Sequence, residues 1–341
     1  MSDGGDRKAR GPDPSPIMAL ATGYWGSQAF LTANRLGVFR ALGEGARPAD
    51  EIARTIGTEP RRTGLLLDAC AALGLLERGA DGRFRNAPAA DAFLVPGRPG
   101  YLGEAVRYGE AMYGPWGELE RSLREGKPAI APERYLGGDP ERTRSFVRGM
   151  HDRAVGIGRA LVAMVDLKGR KRLLDVGGGA GTYSALLCAA NPGLTAVVLE
   201  LPEVAAIARE ILTEMGAADR VATLAGDYRT TPFPDGCDAV LMSGMFHRET
   251  AETCRGLIAR SLACLPASGV LAVSDVFTDA NGAGPVFAAL FGLNMALSAP
   301  DGGVHADAAV AGWMTEAGFA GVAVRPFPPP LPHRVVVGRK P

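Results

Sequence analysis

Three glycines, at positions 177, 179 and 181, follow directly on the apolar run Arg172 to Val176. Glycine reaches backbone angles closed to other residues and lets a ligand lie against the main chain, so a flat or charged group can rest on this turn. A second apolar run, 194–201, delivers the carboxylate of Glu200, twenty-three residues after Gly177. An acid at the tip of the second strand is where α/β nucleotide folds hydrogen-bond the hydroxyls of a ribose. A third run, 221–227, ends in Asp227 with Tyr228 beside it, and a fourth, 238–244, ends shortly before His247. Open α/β sheets build their active sites at the carboxyl edge of the strands, which is where His247 falls. Bare main chain and two acids thus converge on one crevice, a nucleotide-type seat.

These residues need a sheet to position them. Strands are expected near 172–178, 195–201, 221–227, 238–244, 269–277, 321–327 and 333–339, with helices near 182–190, 203–215, 250–264 and 306–317. Only Pro328-Pro329-Pro330 and their flanks separate the last two strands, and prolines cannot continue a helix. Those strands should form an antiparallel, hairpin-like edge on an otherwise parallel sheet, an ending unlike that of a dinucleotide dehydrogenase. Ahead of the sheet, helical patterns at 29–42, 48–56 and 61–75 and a turn-rich stretch at 77–86 around Asp81-Gly82 give a winged-helix outline. Arg61 and Arg62 open its third helix, yet between Arg47 and Asn86 seven arginines face six acids. That local balance is too weak for phosphate binding, and a packing surface is the expected role. Between the two regions, residues 101–150 carry Tyr101, Tyr108, Tyr113, Trp116, Tyr135 and Phe146 with Met112 and Met150, loops at 126–128 and 137–140, and a long helix from Pro140 to about Val165. The expected division is a disordered tail at 1–16, a winged-helix domain at 17–100, a helical linker and pocket region at 101–165, and a catalytic domain at 166–341.

The whole chain has 341 residues, 47% of them hydrophobic, enough for two domains with real cores. Lys+Arg and Asp+Glu both number 37, a balance that argues against nucleic acid or an anionic membrane as the main partner. Cysteines 70, 188, 237, 254 and 264 form no Cys-x-x-Cys pair, so neither disulfides nor a zinc site is expected, which fits a reducing cytoplasm. No apolar window of the roughly 18 residues a membrane helix needs appears, and no signal-type N-terminus.

Several segments together resemble a known family. They are Leu-Leu-Asp-Val-Gly-Gly-Gly-Ala-Gly-Thr (173–182), Val-Leu-Glu-Leu-Pro-Glu-Val (198–204), Ala-Gly-Asp-Tyr (225–228), Leu-Met-Ser-Gly-Met-Phe-His (241–247), the run 265–275 ending in Val-Ser-Asp, and Glu-Ala-Gly-Phe (316–319). From about residue 20 the chain is similar to the class I S-adenosylmethionine-dependent methyltransferases, and within them to the two-domain small-molecule O-methyltransferases such as the caffeate, acetylserotonin and bacterial polyketide enzymes. The resemblance implies a Rossmann-like seven-stranded α/β domain behind a mainly α winged-helix dimerisation domain, S-adenosylmethionine as donor, S-adenosylhomocysteine as product, and a homodimer. It places the donor's methionine portion on the loop of Gly177, Gly179 and Gly181, its ribose on Glu200, and its adenine between Asp227 and Tyr228, with Asp175, Leu201 and Ser243 on the same motifs.

The resemblance also implies that His247 is the general base for a hydroxyl acceptor. Relatives commonly carry Asp directly after this histidine and Glu near residue 302, whereas this chain has Arg248 and His305. The orienting carboxylate is therefore open among Glu249, Asp301 and Asp307, with His305 as an alternative base. That departure keeps alive a carbon or nitrogen acceptor methylated by alignment alone. Tyr108, Met112, Trp116, Phe146, Met150, Phe287, Phe291, Asn294 and Met295 are the expected lining of a pocket for a large, apolar, aromatic small molecule. No metal is expected, and a dehydrogenase or a non-catalytic DNA-binding regulator are the readings from other classes.

Overall fold

A computed structural model describes residues 12–131 and 139–341. The start of the expected tail, Tyr135 and Gly137-Gly138 lie outside the described residues. The chain divides into two compact units, one ending at Arg107 and the other beginning at Tyr108.

In the first unit, helices α1 (Ser15–Thr22), α2 (Tyr24–Leu36), α3 (Val38–Ala41), α4 (Ala49–Ile56) and α5 (Pro60–Ala72) precede strands β1 (Leu76–Arg78) and β2 (Phe84–Asn86) and helix α6 (Pro88–Leu94). Helix α1 opens inside the segment expected as tail. The single helix expected at 29–42 is broken, because Gly37 adopts φ +81 and closes α2 with a left-handed cap. Helix α5 starts where the Glu59 carboxylate accepts the amides of Arg61 and Arg62 at 2.9 and 2.7 Å. The wing is a short antiparallel ladder that pairs Glu77 with Arg85. Phe39, Ile52, Leu67, Cys70, Leu76 and Phe84 form the buried core of this unit.

Helix α7 (Gly103–Gly117) runs across the division, followed by α8 (Leu119–Glu125) and α9 (Pro140–Met164). Asp139 caps α9 by accepting the amides of Glu141 and Arg142, with Pro140 at the first turn. Strands β3 (Arg172–Val176), β4 (Thr195–Glu200), β5 (Val221–Ala225), β6 (Ala239–Ser243) and β7 (Val270–Val276) then alternate with α10 (Thr182–Ala190), α11 (Pro202–Glu214) and α12 (Ala251–Cys264). After β7 come α13 (Val286–Ala296), α14 (Asp307–Ala317), β8 (Ala320–Pro326) and β9 (His333–Arg339).

The seven strands lie in the order β5-β4-β3-β6-β7-β9-β8. β3 to β7 pair in parallel, and β9 runs antiparallel between β7 and β8, so the proline-linked pair forms the expected edge hairpin. Every residue of β6 and β7 is buried, as a sheet covered on both faces requires. The chain leaves β3 toward β4 on one side and returns to β6 on the other, and at such a reversal open α/β sheets leave a crevice beyond the strand ends. Helix α13 was not expected, since its sequence is apolar almost all round and carries no 3.6-residue signal.

Candidate active site

A cavity of about 530 Å³ opens at the carboxyl ends of the five parallel strands. Its floor is the turn after β3. Gly177 donates its amide to Leu199 at 2.9 Å, and the Tyr228 ring passes 3.4 Å from where a Cβ on Gly177 would stand. Gly179, at φ +56, faces open space where its Cβ would project. Gly181 does not line the cavity; it sits at the start of α10 against Leu212 and Val198.

Beyond that floor the β4 tip presents Glu200, whose carboxylate accepts the Leu201 amide at 2.6 Å. Burial pushes this carboxyl up, against the opposing pull of the Leu201 and Gly179 amides and of Arg248. At the β5 tip, Asp227 accepts the Arg229 amide at 2.8 Å and turns the chain so that Tyr228 covers the loop. The Tyr228 hydroxyl donates to Glu249 at 2.5 Å, and Arg229 holds the same carboxylate at 2.8 Å. Burial and the Glu249 neighbour drive the phenol's pKa far up, so it remains a neutral donor. Asp175 lies fully buried under the loop and outside the cavity lining. Ser184 donates to one of its oxygens at 2.7 Å, the other has no partner among the described residues, and burial raises the carboxyl to about 7.

The donor that the sequence resemblance implies fits this set. Gly179 leaves a cradle that a side chain would fill, and Glu200 offers a desolvated carboxylate to a diol. Leu201 and Ser243 both line the cavity.

On the other side of β3 stands the histidine. A short 3-10 turn, Phe246–Arg248, follows β6 and brings His247 into the wall. Its Nδ1 meets Asp275 Oδ1 at 2.7 Å, and its backbone amide donates to Asp275 Oδ2 at 3.3 Å. Burial pushes the Asp275 carboxyl up, but the His247 charge and hydrogen bonds from that ring and from the Val276 and His247 amides outweigh it and hold the carboxyl low. Nε2 is the ring nitrogen left for a ligand, with Phe291 edge-on at 5.0 Å.

None of the carboxylates expected to orient His247 does so. Glu249 is engaged by Tyr228 and Arg229, Asp307 pairs with Arg334, and Asp301 is exposed at the cavity wall. His305 does not line the cavity; its Nε2 faces the Glu249 carbonyl at 3.0 Å and its ring meets Trp313 edge-on. Asp275 was missed as a functional residue, although it ends an apolar run at the same edge as Glu200 and Asp227.

The acceptor side divides similarly. Tyr108, Phe146, Met150, Phe291 and Met295 line the cavity. Met112 is buried with Ile130 and Leu297 instead. Asn294 accepts from the Trp116 indole at 2.8 Å and donates to the Tyr108 hydroxyl at 3.3 Å, so these two brace Tyr108 from behind. Phe287 is exposed and stacks on Phe291. Arg153 and His333 line the cavity unforeseen. Burial holds the His333 ring neutral by lowering it to about 4, and its Nδ1 has no partner among the described residues. No group of His, Cys, Asp and Glu suited to a metal ion occurs among the described residues.

Comparison with known proteins gives the family. The family pattern described as an O-methyltransferase domain matches residues 116–320, and an O-methyltransferase dimerisation domain matches 18–96. Over 331 residues the chain is 37% identical to a 3-hydroxy-5-methyl-1-naphthoate 3-O-methyltransferase of Streptomyces sahachiroi, covering 96% of this chain and 95% of that one. It is 32% identical over 332 residues to a tetracenomycin polyketide synthesis 8-O-methyl transferase of Streptomyces glaucescens, covering 96% and 97%. The crystal structure of human N-acetylserotonin methyltransferase in complex with SAM shares the fold, with a TM-score of 0.87 over 98% of this chain and 99% of that one at 23% identity. The chain belongs to the S-adenosylmethionine-dependent O-methyltransferase family, with that family's dimerisation domain ahead of the catalytic one.

Proposed function

We propose that this chain methylates the hydroxyl of an apolar, aromatic small molecule, with His247 as general base, Asp275 as the residue that positions it, and Glu200, Asp227, Tyr228 and the glycine loop as the donor seat. The observation that carries the reading is the 2.7 Å contact between His247 Nδ1 and Asp275 in the wall of a cavity whose far side holds Glu200. The Streptomyces sahachiroi relative is named for methylating a hydroxyl of a naphthoate, a fused aromatic ring, which supports the acceptor class.

S-adenosylmethionine, when bound, supplies a methyl group on a positively charged sulfur. A phenol has a pKa near ~10 and is mostly neutral at neutral pH, so its oxygen gains nucleophilicity as His247 Nε2 takes the proton. Asp275 accepts the Nδ1 proton, which fixes the tautomer with Nε2 as acceptor and stabilises the ring once it is charged. Glu200 ends β4 and His247 follows β6, strands that flank β3 and lie about 10 Å apart across two inter-strand spacings. A nucleoside anchored at Glu200 therefore extends toward the histidine, and alignment of oxygen, methyl and sulfur supplies the rest of the acceleration.

S-adenosylhomocysteine at about 100 times its dissociation constant is expected to raise the melting temperature by roughly 5 °C or more. NAD at the same concentration should leave it unchanged, and labelled methyl should pass from the donor to members of a phenol panel. Stabilisation by NAD alone would refute the assignment.

The dimerisation-domain match over 18–96 and the surface of the first unit support a homodimer. Ile17, Met18, Leu20, Tyr24 and Trp25, on α1 and the start of α2, are 70%, 61%, 83%, 56% and 61% exposed, an apolar face that a second copy would cover. Glutamate at both Leu20 and Trp25 should shift the light-scattering mass from two chains to one; an unchanged mass would place the interface elsewhere. Nucleic acid is not the partner proposed, since Arg47, Arg54, Arg78, Arg83 and Arg85 are each paired with an acid. The five cysteines are free, which supports a cytoplasmic setting, and no helix among the described residues is long and apolar enough to cross a membrane.

A further inference from the structure

Two guanidinium groups stand in the wall of the cavity without a carboxylate of their own. Arg153 lies one turn along α9 from Met150, and Arg248 follows His247 directly. Both are half-buried, and neither guanidinium makes a hydrogen bond or ion pair with a described residue. The acids around them are engaged. Glu249 belongs to Arg229 and Tyr228, Asp275 to His247, Asp227 to the Arg229 amide and Glu200 to the Leu201 amide, while Asp301 is exposed. The charge of both cations is felt at the Tyr108 hydroxyl of the acceptor wall; that of Arg248 is also felt at Glu200, and that of Arg153 at Tyr183 and His333.

Glu200 acts on Arg248 only from beyond ion-pair distance, and a partly desolvated guanidinium with no direct carboxylate partner favours a ligand that brings one. The methyl donor brings a single carboxylate, on its methionine portion, and two arginines wait. One is left for the acceptor.

We propose that Arg248 reads an anionic group on the acceptor, which is therefore an aromatic hydroxy acid whose carboxylate pairs with this guanidinium while its hydroxyl faces His247 Nε2. Arg153, on the helix that borders Tyr183 and the start of α10, is then the partner of the donor's own carboxylate. The assignment rests on the methyl-transfer reading above. A planar guanidinium holds a carboxylate through two parallel hydrogen bonds, so Arg248 sets the orientation of the ring as well as its charge. Its place next to His247 in the chain ties that orientation to the base.

The test uses the full-length enzyme with a panel of hydroxynaphthoates and hydroxybenzoates, each matched to its carboxamide, which keeps the ring and the hydroxyl and removes the charge. The best acid should exceed its amide in kcat/KM by about 10–100-fold, the range of a charge-assisted pair. Arg248→Gln should bring that ratio close to one, and Arg248→Lys should retain an intermediate preference. By calorimetry, Arg248→Gln should change S-adenosylhomocysteine and methylthioadenosine affinity by the same factor, since any effect passed through Glu200 falls on the ribose that both carry. Arg153→Gln should weaken S-adenosylhomocysteine but not methylthioadenosine, which lacks the carboxylate, and should keep the preference for acids. Three results overturn the proposal: wild-type enzyme that methylates amides as well as acids, or neither; an acid preference that survives in Arg248→Gln; or an Arg248→Gln enzyme that loses S-adenosylhomocysteine and keeps methylthioadenosine, which would give the donor's carboxylate to Arg248. Wild-type protein that binds no S-adenosylhomocysteine at all would instead refute the methyl-transfer reading itself.

Discussion

Alanine at position 247 is expected to lower kcat on a phenolic acceptor by about 10²–10⁴-fold at neutral pH, the usual yield of a positioned general base. The size of the deficit should depend on pH in a way that a packing defect would not. Without the imidazole the reaction depends on acceptor that has already ionised, and that fraction grows as pH climbs toward the phenol pKa near ~10. The gap between wild type and His247→Ala should therefore narrow steadily with rising pH. Asp275→Asn should show the same narrowing with a smaller deficit, of order 10²-fold, because the carboxamide can present its NH₂ to Nδ1 and leave Nε2 protonated, the wrong tautomer for a base. S-adenosylhomocysteine should bind both variants normally, since neither residue belongs to the donor seat. A loss under about tenfold in His247→Ala, or a deficit that stays constant with pH, would remove the base from the mechanism and leave alignment as the whole of it.

The sheet was readable because parallel strands buried on both faces write themselves as apolar runs, and because glycine and acid at the ends of those runs mark the crevice. The side-chain partnerships were not. Asp275 sits sixth in the seven-residue strand β7 and reads as the end of an apolar run; it meets His247 only because β6 and β7 pair with Ser243 opposite Ser274. That register belongs to the folded sheet, and no spacing along the chain encodes it. Glu249, two residues from the histidine, looked the nearer candidate, yet the 3-10 turn at Phe246–Arg248 swings it away to Tyr228 and Arg229. The acceptor wall shows the same limit. Aromatic residues in a helical stripe announce that something is buried, but whether Trp116 and Asn294 touch a ligand or brace Tyr108 depends on how α7 meets α13, two elements far apart in sequence. Gly37 could have been read as a stop, since a glycine inside a helical pattern is as often a cap as an interior residue.

Removing the Glu200 carboxylate should separate the donor seat from the stability of the fold. In the free protein this group is a burden, because burial opposes its charge and the Leu201 and Gly179 amides compensate only in part. Glu200→Gln keeps the shape, drops the charge and should leave the melting temperature of the free protein unchanged or slightly raised. Its donor binding should suffer heavily, since two hydroxyls of the ribose lose a charged acceptor at about 1.5 kcal/mol or more each, or roughly 100-fold in affinity for S-adenosylhomocysteine. The thermal shift produced by that product should shrink accordingly while the unliganded transition stays in place. Calorimetry and melting curves on the same preparations decide the matter. A variant that unfolds early and binds poorly would make Glu200 a structural residue, and one that binds within about threefold of wild type would move the ribose to another acid, with Asp227 next in reach across β4 and β5.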